Sequence, residues 1–145
     1  MDFFTAMEVS ASGMTAERTR MNVASSNLAN ATTTETAQGG PYKRRDVVLS
    51  SVDGPGGVSG GQAGGFGHAV SAVRVAGVVE DQNLPRLEYD PGHPDANEDG
   101  YVAYPNVSVV EEMVDMITAS RAYEAGVTAL NTAVSMAERA LVIGR

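Results

Sequence analysis

Apolar and polar positions alternate with a helical period over two long stretches, one near each end of the chain. The longer one runs from Asn106 to Arg145. In steps of three and four it reads Met113, Met116, Ser120, Tyr123, Val127, Leu130, Val134, Ala137, Leu141. That is an a/d alternation, apolar or small across four heptads. A second row beside it opens apolar, with Val110, Val114 and Ile117, and turns polar at Arg121, Glu124 and Thr128. The pattern predicts a helix with a wide apolar face at its start that narrows to a seam. Its ends are marked as well. Ser108 and Glu111 have the spacing of a capping box, Glu111, Glu112 and Asp115 lie near the positive end of the dipole and Arg139 near the negative end, and Gly144 is the natural stop. About 35 residues at 1.5 Å each make a rod of roughly 50 Å. Burying one seam does not offset the backbone entropy of ordering such a rod. The helix therefore requires a partner along most of its length.

The second stretch supplies one. Met7, Met14, Met21 and Leu28 recur every seven residues, with Phe3, Phe4, Ala11 and Ala24 around them. One helix is expected from about Phe3 to Asn30, or from slightly later if Thr5 and Glu8 form a capping box. Gly13 inside it costs about 1 kcal/mol relative to alanine. A methionine stripe is ordinary core packing, and it also suits an interface that must fit non-identical neighbours. The expected arrangement is an antiparallel coiled coil, with the Met113–Leu141 seam on the Met7–Leu28 stripe of the same chain. Val110, Val114 and Ile117 are then left for other subunits. The fold class is α+β: residues 1–36 and 106–145 form a terminal helical domain, and 37–105 a central β-rich and loop module.

Within that module Thr32, Thr33, Thr34 and Thr36 suit an extended linker. Tyr42 to Leu49 reads as a strand. Ala69 to Ala76, extended by Val78 and Val79, reads as another. Leu84 to Tyr89 returns as a further strand after Asp81-Gln82-Asn83, and residues 90–106 read as a loop. Gly54 to Gly67 resists regular structure, because glycine loses the most backbone freedom on ordering, and a mobile surface loop is expected there. It lacks the Gly-Lys-Ser/Thr ending and the following helix of a phosphate-binding loop.

Composition narrows the function. Of 145 residues none is cysteine or tryptophan, so there is no disulfide framework and no thiolate chemistry. The net charge is −8, which disfavours nucleic acid and anionic lipid as partners. No apolar run reaches membrane-span length, and Met1-Asp2-Phe3 has no basic n-region of a cleavable secretory signal. Export is expected by a route that needs none, or residence in the cytoplasm. His68 and His93 have no metal-ligand spacing to each other. Asp95, Asn97, Asp99 and Gly100 match the first half of a calcium loop, but Asn106 stands where the bidentate Glu belongs. No nucleophile elbow occurs. No catalytic residue, cofactor or metal is expected.

Two sets of residues carry a resemblance. Ser12-Gly13-Met14 followed by Ser26-Asn27-Leu28-Ala29-Asn30 resembles the N-terminal signature of bacterial flagellar rod and hook proteins, in which two asparagines usually precede the apolar residue. Asp90 to Asp95, Gly100 to Val107, Val110 to Ile117 and Ser120 to Ala125 resemble the proximal-rod members of that family, as does Gly39-Gly40-Pro41-Tyr42. The resemblance implies a structural subunit of the flagellar basal-body rod, without activity or cofactor. It implies export by the flagellar type III apparatus without a cleaved signal, polymerisation in the periplasm through paired terminal helices that line the inner tube, and an outward central module. Its implied partners are copies of itself and other rod and basal-body proteins, with no nucleic acid and no membrane insertion. The residues expected to pack these helices and the assembly are Met7, Met14, Met21, Leu28, Val110, Met113, Val114, Met116, Ile117, Tyr123, Val127, Leu130, Val134 and Leu141. Three other readings stand beside it: another rod or hook subunit, a coiled-coil adaptor that does not polymerise, and a calcium-responsive regulator.

Overall fold

A computed structural model describes residues 3–53 and 71–143 of the chain. The glycine-rich stretch from Gly54 to Gly67 lies outside the described residues. Two helices and four strands follow one another in the order α1 (Phe3–Ala29), β1 (Arg45–Asp53), β2 (Ser71–Glu80), β3 (Arg86–Tyr89), β4 (Tyr101–Tyr104) and α2 (Val109–Ile143). The terminal helices pack on each other, as expected of an α+β chain with paired ends. They run antiparallel: Asn27 meets Glu112 near one end, and Met14 approaches Gly126 towards the other.

The seam between them is built on small side chains. Ala16 and Ala24 of α1 and Ala119 of α2 are buried. A Cβ placed on Gly126 would stand 2.8 Å from Cγ of Met14, so the glycine admits the methionine into van der Waals contact with the α2 backbone. The row of α2 residues covered by the rest of the chain runs through Glu112, Met116, Ala119, Tyr123, Gly126, Leu130 and Ala137. Met116, Tyr123, Val127, Leu130 and Val134 are part-buried on or beside this row. Met113 and Leu141, expected at its two ends, are exposed in the single chain. The buried row takes in Glu112 in place of Met113, for a polar reason given below.

Helix α2 begins where the capping pattern puts it, with the Glu111 N–H donating to Ser108 Oγ at 3.5 Å and the Glu112 N–H to the Ser108 carbonyl at 3.0 Å. Helix α1 is already helical at Phe3, ahead of a Thr5 cap. In α1, Ser10, Thr15 and Thr19 return their hydroxyls to the carbonyl one turn back, which satisfies these side chains within the helix.

Strands β1 and β2 form an antiparallel hairpin with a register shift between Val48 and Leu49. Both strands lie against α1, and the Val73 N–H of β2 donates to Ser12 Oγ of α1 at 3.1 Å. Strand β3 does not continue this sheet after β2. It pairs with β4, from Arg86↔Tyr104 to Tyr89↔Tyr101, so a strand lies inside the stretch expected to be wholly loop. The connection that closes this second hairpin is folded by its own side chains. Asn97 Oδ1 accepts from the Asp99 and Tyr101 amides, and His93 Nδ1 accepts from the Asp95 amide. Gly100 has φ +79° and would bring a Cβ to 2.9 Å from the Tyr89 ring; only glycine fits this corner. The threonine-rich stretch is also more ordered than a linker. Thr33 N–H donates to Asn30 O, Tyr42 N–H to Thr33 O, and Thr36 and Gly40 close a further turn. Thr34 Oγ1 then donates to Asp95 Oδ2 at 2.7 Å and ties this turn to the β3–β4 connection.

Candidate assembly site

The end of α1, the start of β1 and the start of α2 meet at one corner, and polar side chains join them. Asn27 is almost wholly buried, three residues after the buried Ala24 on the same face of α1. Its Nδ2 donates to the Arg45 carbonyl at 2.8 Å and to Glu112 Oε2 at 2.9 Å. Its Oδ1 accepts from the Arg45 N–H at 3.0 Å and from the Tyr42 hydroxyl at 2.9 Å. Both donors and both acceptor positions of the carboxamide are thereby used.

Glu112 is 2 % exposed. A carboxylate removed from water to this degree needs a cation and full hydrogen bonding, and it has both. Arg44 Nε lies 2.6 Å from Glu112 Oε1, and Asn27 holds the second oxygen. Arg44 also reaches Asp46 at 2.7 Å and Asp115 at 3.9 Å. Burial alone would lower the Arg44 pKa, but the hydrogen bond to Glu112 and the charges of Glu112, Asp46 and Asp115 outweigh it, and the guanidinium is held above its ordinary value. Among the described residues no buried side-chain nitrogen or oxygen lacks a partner. This accounts for the seam's shift onto Glu112: the helix turns its acid inward because the cation and the amide are there.

Around the corner Val102, Pro105, Val107 and Ala119 are buried, and a cavity of about 170 Å³ opens between α1, β1 and α2 beside Val23, Val47 and Asp115. On the opposite face of α2 the situation reverses. Val110 is 71 %, Val114 55 % and Ile117 49 % exposed, with Met113 beside them. At the other end Leu141 is 75 % exposed. On α1, Met7, Met14, Met21 and Leu28 are part-buried. The structure thus gathers Met14, Met116, Tyr123, Val127, Leu130 and Val134 near the helix pair and leaves Val110, Met113, Val114, Ile117 and Leu141 facing outward. The sequence places Asn27 in a helix-end signature and Glu112 at a helix start, and gives neither of them, nor Arg44, a place among the packing residues. The signal for Asn27 was its place on the Ala16–Ala24 face. Glu112 could have been found by its spacing of seven from Ala119.

Residues 7–35 match the family described as flagella basal body rod protein, and residues 98–142 the flagellar basal body rod FlgEFG protein C-terminal family. The chain is 44 % identical to the flagellar basal-body rod protein FlgC of Bacillus subtilis over the full length of both chains. It is 41 % identical to the FlgC of Escherichia coli O6:H1, again over the full length of both, and 41 % identical to that of Aquifex aeolicus over 96 % of this chain and 95 % of the relative. The chain belongs to the FlgC family of flagellar basal-body rod proteins. The first of the two matched regions covers α1 from Met7 with the turn after it, and the second runs from the β3–β4 connection through β4 into α2. The corner joins them through Asn27 in the first and Glu112 in the second. A FlgC chain is a structural component of the rod, and every buried side-chain nitrogen and oxygen described at the corner has a hydrogen-bond partner. Among the described residues no three His, Asp or Glu side chains gather into a metal site, and no described helix is long and apolar enough to cross a membrane.

Proposed function

We propose that this chain polymerises through α1 and α2 into a section of the rod, so that residues 1–36 and 106–145 build the wall of the inner tube and export channel and residues 37–105 face outward. The observation that carries this reading is the outward row Val110, Met113, Val114 and Ile117 on α2. Four large apolar side chains side by side on one helix face are left about half or more exposed among the described residues, and such a patch marks a protein interface. Covering it with a head-to-tail neighbour generates a helical array in place of a closed pair. The chain reaches the periplasm through the flagellar type III apparatus without a cleaved signal, and acts with copies of itself and other rod proteins, without catalysis.

The test places charge on the patch. In cells lacking the native gene, Val114→Asp combined with Ile117→Asp should abolish rods and swimming, while circular dichroism of the purified full chain keeps its helix content. Normal swimming by this double variant overturns the reading. A second reading, a coiled-coil adaptor that stops at a closed dimer, is favoured if the purified chain sediments as a dimer and never larger.

A further inference from the structure

We propose that Asn27 is a positioning residue: it pins the register of β1 and so fixes how the β1–β2 hairpin stands on the helix pair. The proposal rests on the rod-subunit reading above. Its basis is the pair of bonds to a single backbone residue. The Arg45 N–H and the Arg45 carbonyl both go to the one carboxamide of Asn27, at 3.0 and 2.8 Å. In an antiparallel ladder two directly opposed residues exchange this same pair of bonds. The side chain of Asn27 therefore stands in for a third strand, one residue long, at the edge of β1 away from β2.

It does so where β1 most needs a fixed start. Arg45↔Glu80 is the first pair of the ladder, and the register shifts soon afterwards, between Val48↔Gly77 and Leu49↔Val75. A slip of one residue would turn every side chain of a strand to the opposite face. A ladder already irregular near its middle does not by itself decide where it begins. Asn27 decides it, because its own orientation is fixed. Turning the carboxamide over would set its NH2 group against the Arg45 N–H and its oxygen against the Glu112 carboxylate, and the Tyr42 hydroxyl and Glu112 hold it from the two remaining directions. Arg44 Nε on Glu112 closes the circuit one residue before Arg45. Load on the hairpin thus reaches both α1 and α2 at this corner, in addition to the Val73–Ser12 bond that ties β2 to α1 alone.

The experiment separates the pin from mere helix pairing. In the full chain Asn27→Asp keeps an acceptor for the Arg45 N–H, loses the donor to the Arg45 carbonyl and faces Glu112 with like charge. Adding Glu112→Gln restores the contact between α1 and α2 with its polarity reversed, and leaves the Arg45 carbonyl uncovered. Hydrogen exchange at β1 and β2 amides should be about tenfold faster in both variants, whereas α2 amides from 115 to 123 should return to wild-type rates in the double variant. Cells carrying the double variant should build rods but swim more slowly than wild type in viscous medium. Wild-type exchange of the hairpin in Asn27→Asp, or full recovery of hairpin and load-bearing in the double variant, overturns the proposal. If Asn27→Asp does not fold, Tyr42→Phe releases one restraint on the carboxamide and should raise hairpin exchange about threefold; an unchanged rate also overturns it. Failure of the rod reading looks different: deletion of the gene would then leave rods and swimming intact.

Discussion

The two ends of the helix pair are held by different physics. At the corner where α1 ends and α2 begins, Ala24, Asn27, Glu112 and Ala119 are buried, and charge and hydrogen bonds are saturated. At the other end no described residue of α2 after Ala119 is buried, and none of α1 before Ala16. The inward face of the corner is satisfied within one chain, although Val110, Val114 and Ile117 on the outer face of the same end stay exposed. The far end has only a part-buried seam. A subunit made this way can carry a defined shape at one end while the other remains adaptable, which suits its part-buried methionines, Met7 and Met14.

The largest expected effect breaks the corner. Arg44→Met removes the cation from a buried carboxylate and should destabilise the chain by about 3–5 kcal/mol, read by denaturant unfolding. Leu141→Ser at the far end should change the stability of the isolated chain by no more than about 0.5 kcal/mol. Equal losses from the two variants would erase the contrast between the ends. A smaller effect sharpens where the seam is tight. Gly126→Ala gains about 1 kcal/mol of helix propensity but drives Met14 from its contact, so alone it should be near neutral. In a Met14→Ala background the same substitution should show the full gain of about 1 kcal/mol. No difference between the backgrounds would mean that the two helices do not meet there.

The smallest effect lies outside both ends, at the turn after β2. The Asn83 amide N–H and side-chain amide donate to the Asp81 carboxylate and hold its pKa below the ordinary value. A carboxylate depressed in the folded state adds stability above its unfolded pKa and loses it as pH falls through the folded one. Asp81 should therefore titrate low by carbon-detected NMR, and Asn83→Ala should move it up towards the ordinary carboxylate range without disturbing the corner.

The helices were legible because period and length survive in any context: the seven-residue spacing of Met7, Met14, Met21 and Leu28 and the 3–4 alternation after Met113 left little room for another structure. The strand partners were not. Val78, Leu84 and Leu87 announce extended chain, but nothing near them says that Arg86 will face Tyr104 and not β2. Pairing is a property of distant residues. The corner was hidden for a related reason. Ser26-Asn27 reads as the polar end of a helix and Glu111-Glu112 as the acidic start of another, each locally sufficient. Their contact spans 85 positions of sequence, and only the register of the two helices brings them together.

The helices are also unequal. Helix α2 has 35 residues and α1 27, and eight residues of helix amount to about 12 Å of height. In the assembly proposed above, such a stepped end would stagger the joints between neighbours like brickwork, and a twisting shaft so jointed would offer no flat cut across which to shear.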